Sequence, residues 1–367
     1  MSNNELIALL RLQDIPHIGD VNAKKLIDRC GSALAVFQEK KQTLLKIDGI
    51  GSYTLQNLYD KAHLEAAELE FQFILKNDIK YTSFLDVDYP KHLKQCIDGP
   101  ILLFKSGNIN LEERKIVSVV GTRKITSYGQ HFCEVFIEEI APLNPIIVSG
   151  FAYGVDITIQ RAAMEHNLQT IGCLAHGLNQ VYPKAHKKYI AELEKDGGFF
   201  TEFWSTSSPE RENFLKRNRI IAGMSEATIV IESAEKGGSL VTADIAHSYN
   251  RDVFAVPGRT TDVYSKGCNN LIKQQKAHIL TSGSELIYLL GWKIKEIKPE
   301  PIQKKLFIEL NKTERSVYDF LQSNGKQVLD NIALECSLPI FKTSAMLLTM
   351  EMKGVIRPLP GKLFEAI

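Results

Sequence analysis

The residues in this sequence best suited to chemistry are donors for an anion. Arg211-Glu212-Asn213-Phe214-Leu215-Lys216-Arg217-Asn218-Arg219 carries four positive charges against one negative. Four glycine-containing turns accompany it: Gly121-Thr122-Arg123, Ser149-Gly150-Phe151-Ala152-Tyr153-Gly154, Gly237-Gly238-Ser239-Leu240-Val241-Thr242-Ala243 and Pro257-Gly258-Arg259. Glycine lets the backbone approach a ligand closely, and the free N–H groups that open a helix favour negative charge. Arg123 and Arg259 add forked donors matched to phosphate oxygens. On a helix, Lys216, Arg219 and the next turn share one face, with Phe214, Leu215 and Ile221 available to pack inward.

The common nucleotide and catalytic motifs are missing. No G-x-G-x-x-G follows an apolar run and no G-x-x-x-x-G-K-[ST] occurs, which argues against an NAD enzyme or a P-loop ATPase. H-E-x-x-H, G-x-S-x-G and tight His/Cys clusters are absent as well, so no catalytic residue, metal or cofactor is expected. The 367 residues hold 44 Lys+Arg against 43 Asp+Glu. That balance excludes a protein that holds polyanions by bulk charge and requires a local grip.

These turns need a frame to bring them together. Apolar runs at 116–120, 146–148, 170–174, 199–203, 227–231 and 253–256 alternate with amphipathic helical stretches such as 154–166 and 211–222. Short strands apolar on both faces, joined by helices, predict right-handed crossovers on a buried, largely parallel sheet. Each glycine turn follows one of these runs, so the turns fall at the carboxyl ends of the strands, where such sheets bind ligands.

VVGTRKITSYG, IVSGFAYGVDITIQRAAM, GLNQVYPKAHKKY, FLKRNRIIAGMSEATIVIESAEKGGSLVTADIAHSYNRDVFAVPG and KGCNNLIKQQKA, in that order, resemble the DNA processing protein A (DprA/Smf) family over roughly 115–280. Each short motif alone is weak, and the ordered set is specific. The resemblance implies an extended Rossmann-like fold that binds single-stranded DNA and is not an enzyme. It implies protection of incoming strands in natural transformation, help in loading the RecA recombinase, displacement of single-strand-binding protein, and action as a homodimer. The family's phosphate-gripping segment maps to Gly121, Thr122 and Arg123. Its R-N-R segment maps to Arg217, Asn218 and Arg219, and its helix start to Gly238, Ser239, Leu240 and Thr242. Ser149, Gly150, Lys216 and Arg259 complete the candidate nucleic-acid site. Where the family commonly has Leu, Arg and His, this chain has Phe151, Tyr153 and Gln160. Tyr153, Tyr182 and Phe214 are the aromatics that could stack on bases, although each is expected in the core rather than as a platform.

The organisation expected is a helical domain at 1–75, the sheet domain at 80–292, a linker at 293–304 and a winged-helix-like domain at 305–367. The helical domain contains an internal echo, Ile15–Ala23 against Ile47–Leu55, each copy resembling a helix-hairpin-helix (SAM-like) turn, with Lys24 and Lys25 on the helix behind the first. Three helices near 313–323, 328–336 and 339–353 precede a hairpin-like end. Their presumed recognition helix, Phe341–Met352, is rich in Met and Leu, which favours packing or protein docking over base readout. Six dispersed cysteines predict reduced thiols. With no apolar run long enough to span a bilayer and no leader pattern, a cytoplasmic protein without membrane partners is expected.

Two other functions compete. One is a nucleotide or nucleoside-monophosphate hydrolase of the wider Rossmann-like class, with Asp244 and Glu232 as acid/base groups. The other is a duplex-DNA regulator acting through the terminal modules.

Overall fold

A computed structural model describes residues 1–112, 114–292, 310–359 and 363–367. The linker expected at 293–304 lies outside the described residues. Nine strands form one sheet: β1 (Lys80–Ser83), β2 (Leu102–Gly107), β3 (Ile116–Val120), β4 (Ile146–Ser149), β5 (Thr170–Cys173), β6 (Gly198–Thr201), β7 (Ala227–Val230), β8 (Asp252–Ala255) and β9 (His278–Ile279). Their order is β1-β2-β6-β5-β4-β3-β7-β8-β9. From β6 to β9 every neighbouring pair is parallel, while β1 and β2 add an antiparallel hairpin at one edge.

The apolar runs make these strands because both faces of the sheet are covered. Ile116 and Val120 of β3 join one core with Ile146 and Val148 of β4. Val117 and Val119, pointing the other way, join a second core with Ile147, Phe136 and Ile159. Period-two alternation between two apolar layers leaves no polar face, so the strands read as continuous hydrophobic sequence. The β1–β2 hairpin lacks that signature, because Lys80-Tyr81-Thr82-Ser83 is polar.

The chain runs outward from β3 through β4 and β5 to β6, then crosses back over helix Arg211–Met224 to place β7 on the other side of β3. The order in which strands are added reverses between β3 and β7, which themselves run parallel. Their carboxyl ends therefore part to leave a crevice.

Helices Asn3–Asp14, Asp20–Cys30, Ala33–Gln38, Lys41–Leu44 and Lys61–Lys76 precede the sheet. Leu9, Leu12 and Leu26 belong to the same core as Leu102, Phe104 and Ile220. Buried Glu70 accepts hydrogen bonds from Ser205 N (2.8 Å) and Oγ (2.6 Å), and Trp204 Nε1 donates to Gln13 Oε1 at 3.1 Å. Residues 1–75 and the sheet thus fall within one compact unit. The helix-hairpin-helix echo is also put to internal use. Lys24 Nζ donates to the carbonyls of Cys96 and Ile97, and Lys25 Nζ donates to Asp48 O across the second turn. No α-helix follows the second turn until Lys61.

The described residues 310–359 and 363–367 belong to a second compact unit. Helices Lys312–Asn324, Leu329–Glu335 and Ile340–Met352 surround a small sheet of β10 (Gln327–Val328), β12 (Leu363–Ala366) and β11 (Ile356–Leu359), in that order. Val317, Leu321, Ile332, Leu347 and Met350 fill its core. The first helix opens with a capping box between Asn311 and Glu314, and Glu314 also pairs with Lys353 at 2.7 Å. Among the described residues, no single helix is long and apolar enough to cross a membrane.

Candidate nucleic-acid interface

A cleft of about 960 Å³ occupies the crevice between β3 and β7. Three of the four glycine turns meet there. The turn after β3 contributes Gly121, Thr122 and Arg123; the turn after β4 contributes Ala152 and Tyr153; and the turn after β7 leads into Gly237, Gly238, Ser239, Leu240 and Thr242.

The floor is a set of interlocked backbone segments. Thr122 N donates to Glu232 O at 2.7 Å, and Val155 N donates to Thr122 O at 3.1 Å, which ties the three turns together. Glu232 holds the first turn from behind, accepting hydrogen bonds from Thr126 N (2.9 Å) and Oγ1 (2.5 Å). Gly154 has φ +77°, and a Cβ there would lie 2.1 Å from Thr122 O. Only glycine satisfies that backbone and that distance.

One wall is helix Arg211–Met224. Arg211, Phe214, Leu215, Asn218 and Ile221 recur at helical spacing along its cleft side. Phe214 and Leu215 therefore do not pack inward as expected: Leu215 is 46% exposed at the rim. The three aromatics expected in the core also line the cleft. Tyr153 is 47% and Tyr182 37% exposed, and the rings of Tyr182 and Phe214 meet edge-on with centroids 5.6 Å apart. The Arg123 guanidinium lies 5.1 Å above the Phe214 ring centroid. Opposite stands helix Gly238–Ser248. Its N-terminus has no side-chain cap, so its first N–H groups remain available to an anion.

The two arginines of the R-N-R segment turn to opposite sides of their helix. Arg217 is buried and donates to the carbonyls of Gly150 (2.8 Å) and Cys173, beside the buried carboxyl of Asp156. Burial raises the Asp156 pKa, and the neighbouring Arg217 charge opposes that shift. A Cβ on Gly150 would fall 2.5 Å from Asp156 Oδ2 and 2.7 Å from the guanidinium, so the pair needs glycine at this point. Arg219 leaves the cleft altogether. It pairs with Asp20 Oδ2 at 2.9 Å and with Glu202, and donates to Asp98 O. Lys216 is exposed and is not on the cleft wall; it shares the Arg219 side, close enough for its charge to act on Glu202.

Of the remaining candidates, Ser149 is buried and donates through Oγ to Val119 O at 2.7 Å. Arg259 is exposed but off the cleft, because Asn269 holds the fourth turn through both polar groups of Gly258. Sequence reasoning missed Lys236 and Arg211 as further cations on the wall. Arg211 belonged to the basic run already singled out, whereas Lys236 stands alone and gave no signal. The two carboxylates invoked for a hydrolase have other partners: Glu232 holds Thr126, and Asp244 forms an ion pair with Lys276 at 2.9 Å.

Among the described residues no His/Cys/Asp/Glu group is arranged to hold a metal ion. The arrangement is that of a doubly wound α/β protein with an open, backbone-floored cleft at its switch point. The chain matches the DNA recombination-mediator protein A family over residues 80–291 and the DprA winged helix domain over 308–362. DNA processing protein DprA of Streptococcus pneumoniae is 37% identical over 230 residues, covering 62% of this chain and 77% of the relative. Protein Smf of Synechocystis sp. is 30% identical over 298 residues, covering 79% and 74%. The X-ray structure of the S. pneumoniae protein superposes with a TM-score of 0.65 at 32% identity, covering 78% of this chain and 97% of that one. A Helicobacter pylori DNA processing protein A, described for its single-stranded DNA binding mode, gives 0.52 at 29% identity, covering 57% and 95%. The chain belongs to the DNA processing protein A (DprA/Smf) family.

Proposed function

We propose that this chain is a recombination mediator that holds single-stranded DNA in the β3/β7 cleft. In this reading it protects incoming strands during natural transformation, acts as a homodimer, displaces single-strand-binding protein and assists RecA loading, without catalysing a reaction itself. Gly121, Thr122, Arg123, Gly238, Ser239, Leu240 and Thr242 receive the phosphates, with Asn218 at the wall. Arg217, Ser149 and Gly150 build the floor behind them, and Arg219 braces the helix. Lys216 and Arg259 act as outlying charges along the strand.

The observation that carries the reading is the pairing of two kinds of group around one cleft. Backbone N–H donors and Arg123 share the cleft with the exposed rings of Tyr153 and Tyr182 and the half-buried ring of Phe214. Donors track a phosphate backbone of any sequence, and rings accept splayed bases, a combination that suits a single strand and not a stacked duplex. Family membership and the single-stranded DNA binding of the H. pylori relative support the same conclusion. Anisotropy titration of an oligo-dT strand, its duplex with oligo-dA, and free nucleotides tests it. Preference for the single strand is expected, and equal or tighter duplex binding would overturn the reading. A RecA pull-down and loading onto strands coated with single-strand-binding protein test the partner assignments.

A further inference from the structure

The ion cluster behind helix Arg211–Met224 links the cleft to the N-terminal helical segment. That helix has no side-chain cap at its start, and its first turns carry the exposed cleft residues Arg211 and Leu215. Its position therefore depends on what holds it further along. Arg217 fixes one side to the strand ends of the sheet. Arg219, half a turn away from Arg217, fixes the other.

The partners of Arg219 come from three separate places. Asp98 O lies in the connection between β1 and β2, Glu202 directly follows β6, and Asp20 opens helix Asp20–Cys30. Asp20 is held in turn, since its Oδ1 accepts a hydrogen bond from Ile101 N at 2.8 Å while Oδ2 pairs with Arg219. The Arg219 and Asp20 side chains are only 13% and 17% exposed. Screening by water is weak at that depth, and a forked guanidinium fixes direction as well as distance. Asp20 also occupies the first turn of its own helix, where the dipole favours its carboxylate, and that charge would repel a phosphate there. The first helix-hairpin-helix-like turn thus serves a side chain of the sheet unit.

We infer that Asp20 is a positioning residue for the nucleic-acid cleft: through Arg219 it sets the placement of helix Arg211–Met224 and, with it, of Phe214 and Asn218. The helical segment then acts on DNA affinity without touching DNA. This inference rests on the proposed single-strand site, and its test separates the two.

The experiment titrates full-length wild type, Asp20→Asn, Glu5→Ala and Arg123→Ala with fluorescent oligo-dT across a salt series, alongside thermal unfolding. Asp20→Asn retains an acceptor for Ile101 N and loses the charge that holds Arg219. Glu5 is the control: it accepts hydrogen bonds from Ala33 N (2.6 Å) and Leu34 N (3.1 Å), both inside the helical segment and not on helix Arg211–Met224. Asp20→Asn is expected to weaken binding roughly three- to ten-fold, with the salt slope of wild type, because no phosphate contact is removed. Arg123→Ala weakens binding with a shallower slope, and Glu5→Ala lowers stability with affinity unchanged. Unaltered affinity in Asp20→Asn, or an equal loss in Glu5→Ala, would overturn the inference. Absence of oligo-dT binding by wild type would instead overturn the proposed function. If Asp20→Asn does not fold, Arg219→Lys carries the same comparison, since it keeps the charge and loses the fork.

Discussion

The guanidinium of Arg123 lies 5.1 Å above the ring of Phe214, bringing a cation from the β3 turn onto an aromatic from the opposing helix. Neither group is core, and both face the same opening. A strand lying there meets charge and ring together. Arg123→Ala is expected to weaken oligo-dT binding and to lower the salt slope by about 0.7, the value for one phosphate on a single strand. Phe214→Leu should cost about 1–3 kcal/mol of binding with the slope intact. Anisotropy at several salt concentrations distinguishes the two.

Arg219→Ala should behave as a stability variant. It leaves the carboxylates of Asp20 and Glu202 buried without their guanidinium, a loss on the order of 3–5 kcal/mol. Urea unfolding should show an earlier midpoint, while the salt slope of oligo-dT binding matches wild type.

Glu202 gives a pH signature. Burial beside Asp20 pushes its pKa up from 4.5 to about 7, although Arg219 and Lys216 pull the other way. Because the folded value exceeds the unfolded one, the folded state binds the extra proton between them. The contribution to stability is full below about 4.5 and is lost as pH rises through about 7. Half-buried His92 and buried His176 and His186, whose pKa values burial lowers, change stability in the opposite sense. The clean measurement is therefore the difference between wild type and Glu202→Gln. Thermal scans from pH 5 to 8 should show wild type losing stability relative to the variant as pH rises.

Gln160 is fully buried, and neither its amide nitrogen nor its oxygen has a hydrogen-bond partner among the described residues. Gln160→Met keeps the length of the side chain and removes both orphaned groups. A gain on the order of 1 kcal/mol is expected, read as a higher Tm with unchanged oligo-dT affinity.

Gly154→Ala should fail at the cleft floor. It combines a left-handed φ of +77° with a Cβ only 2.1 Å from Thr122 O. A loss of at least about 1 kcal/mol is expected, together with weaker oligo-dT binding, because the turn carrying Arg123 must move aside.

The central strands were legible because two apolar layers leave no polar face: Ile116-Val117-Ser118-Val119-Val120 reads as a buried strand with no help from its neighbours. The β1–β2 hairpin was not, since polar Lys80-Tyr81-Thr82-Ser83 carries no period that marks an edge strand. The glycine turns predicted where the cleft would lie, because strand direction fixes which loops share an edge. Which way each side chain turns on helix Arg211–Met224 was beyond the pattern. Arg217 and Arg219 are two residues apart and read alike in sequence, yet one meets strand carbonyls and the other meets Asp20, a partner 199 positions away. The core shared by residues 1–75 and the strands was hidden for a related reason. Leu9 and Leu26 form an ordinary amphipathic pattern that does not reveal whose core they fill.

Interlocking of Gly154 against Thr122 divides the cleft into a part that can vary and a part that cannot. A side chain added at Gly154 collides with main chain and one added at Gly150 with the Asp156–Arg217 pair, so mutation has no room at these two positions to favour one base over another. Discrimination among substrates, where it evolves, is confined to the rim, at positions such as Tyr153, where this chain departs from the family's usual arginine. On the proposed single-strand reading, the floor makes the cleft indifferent to sequence, and the rim is where a lineage can tune how long a strand stays.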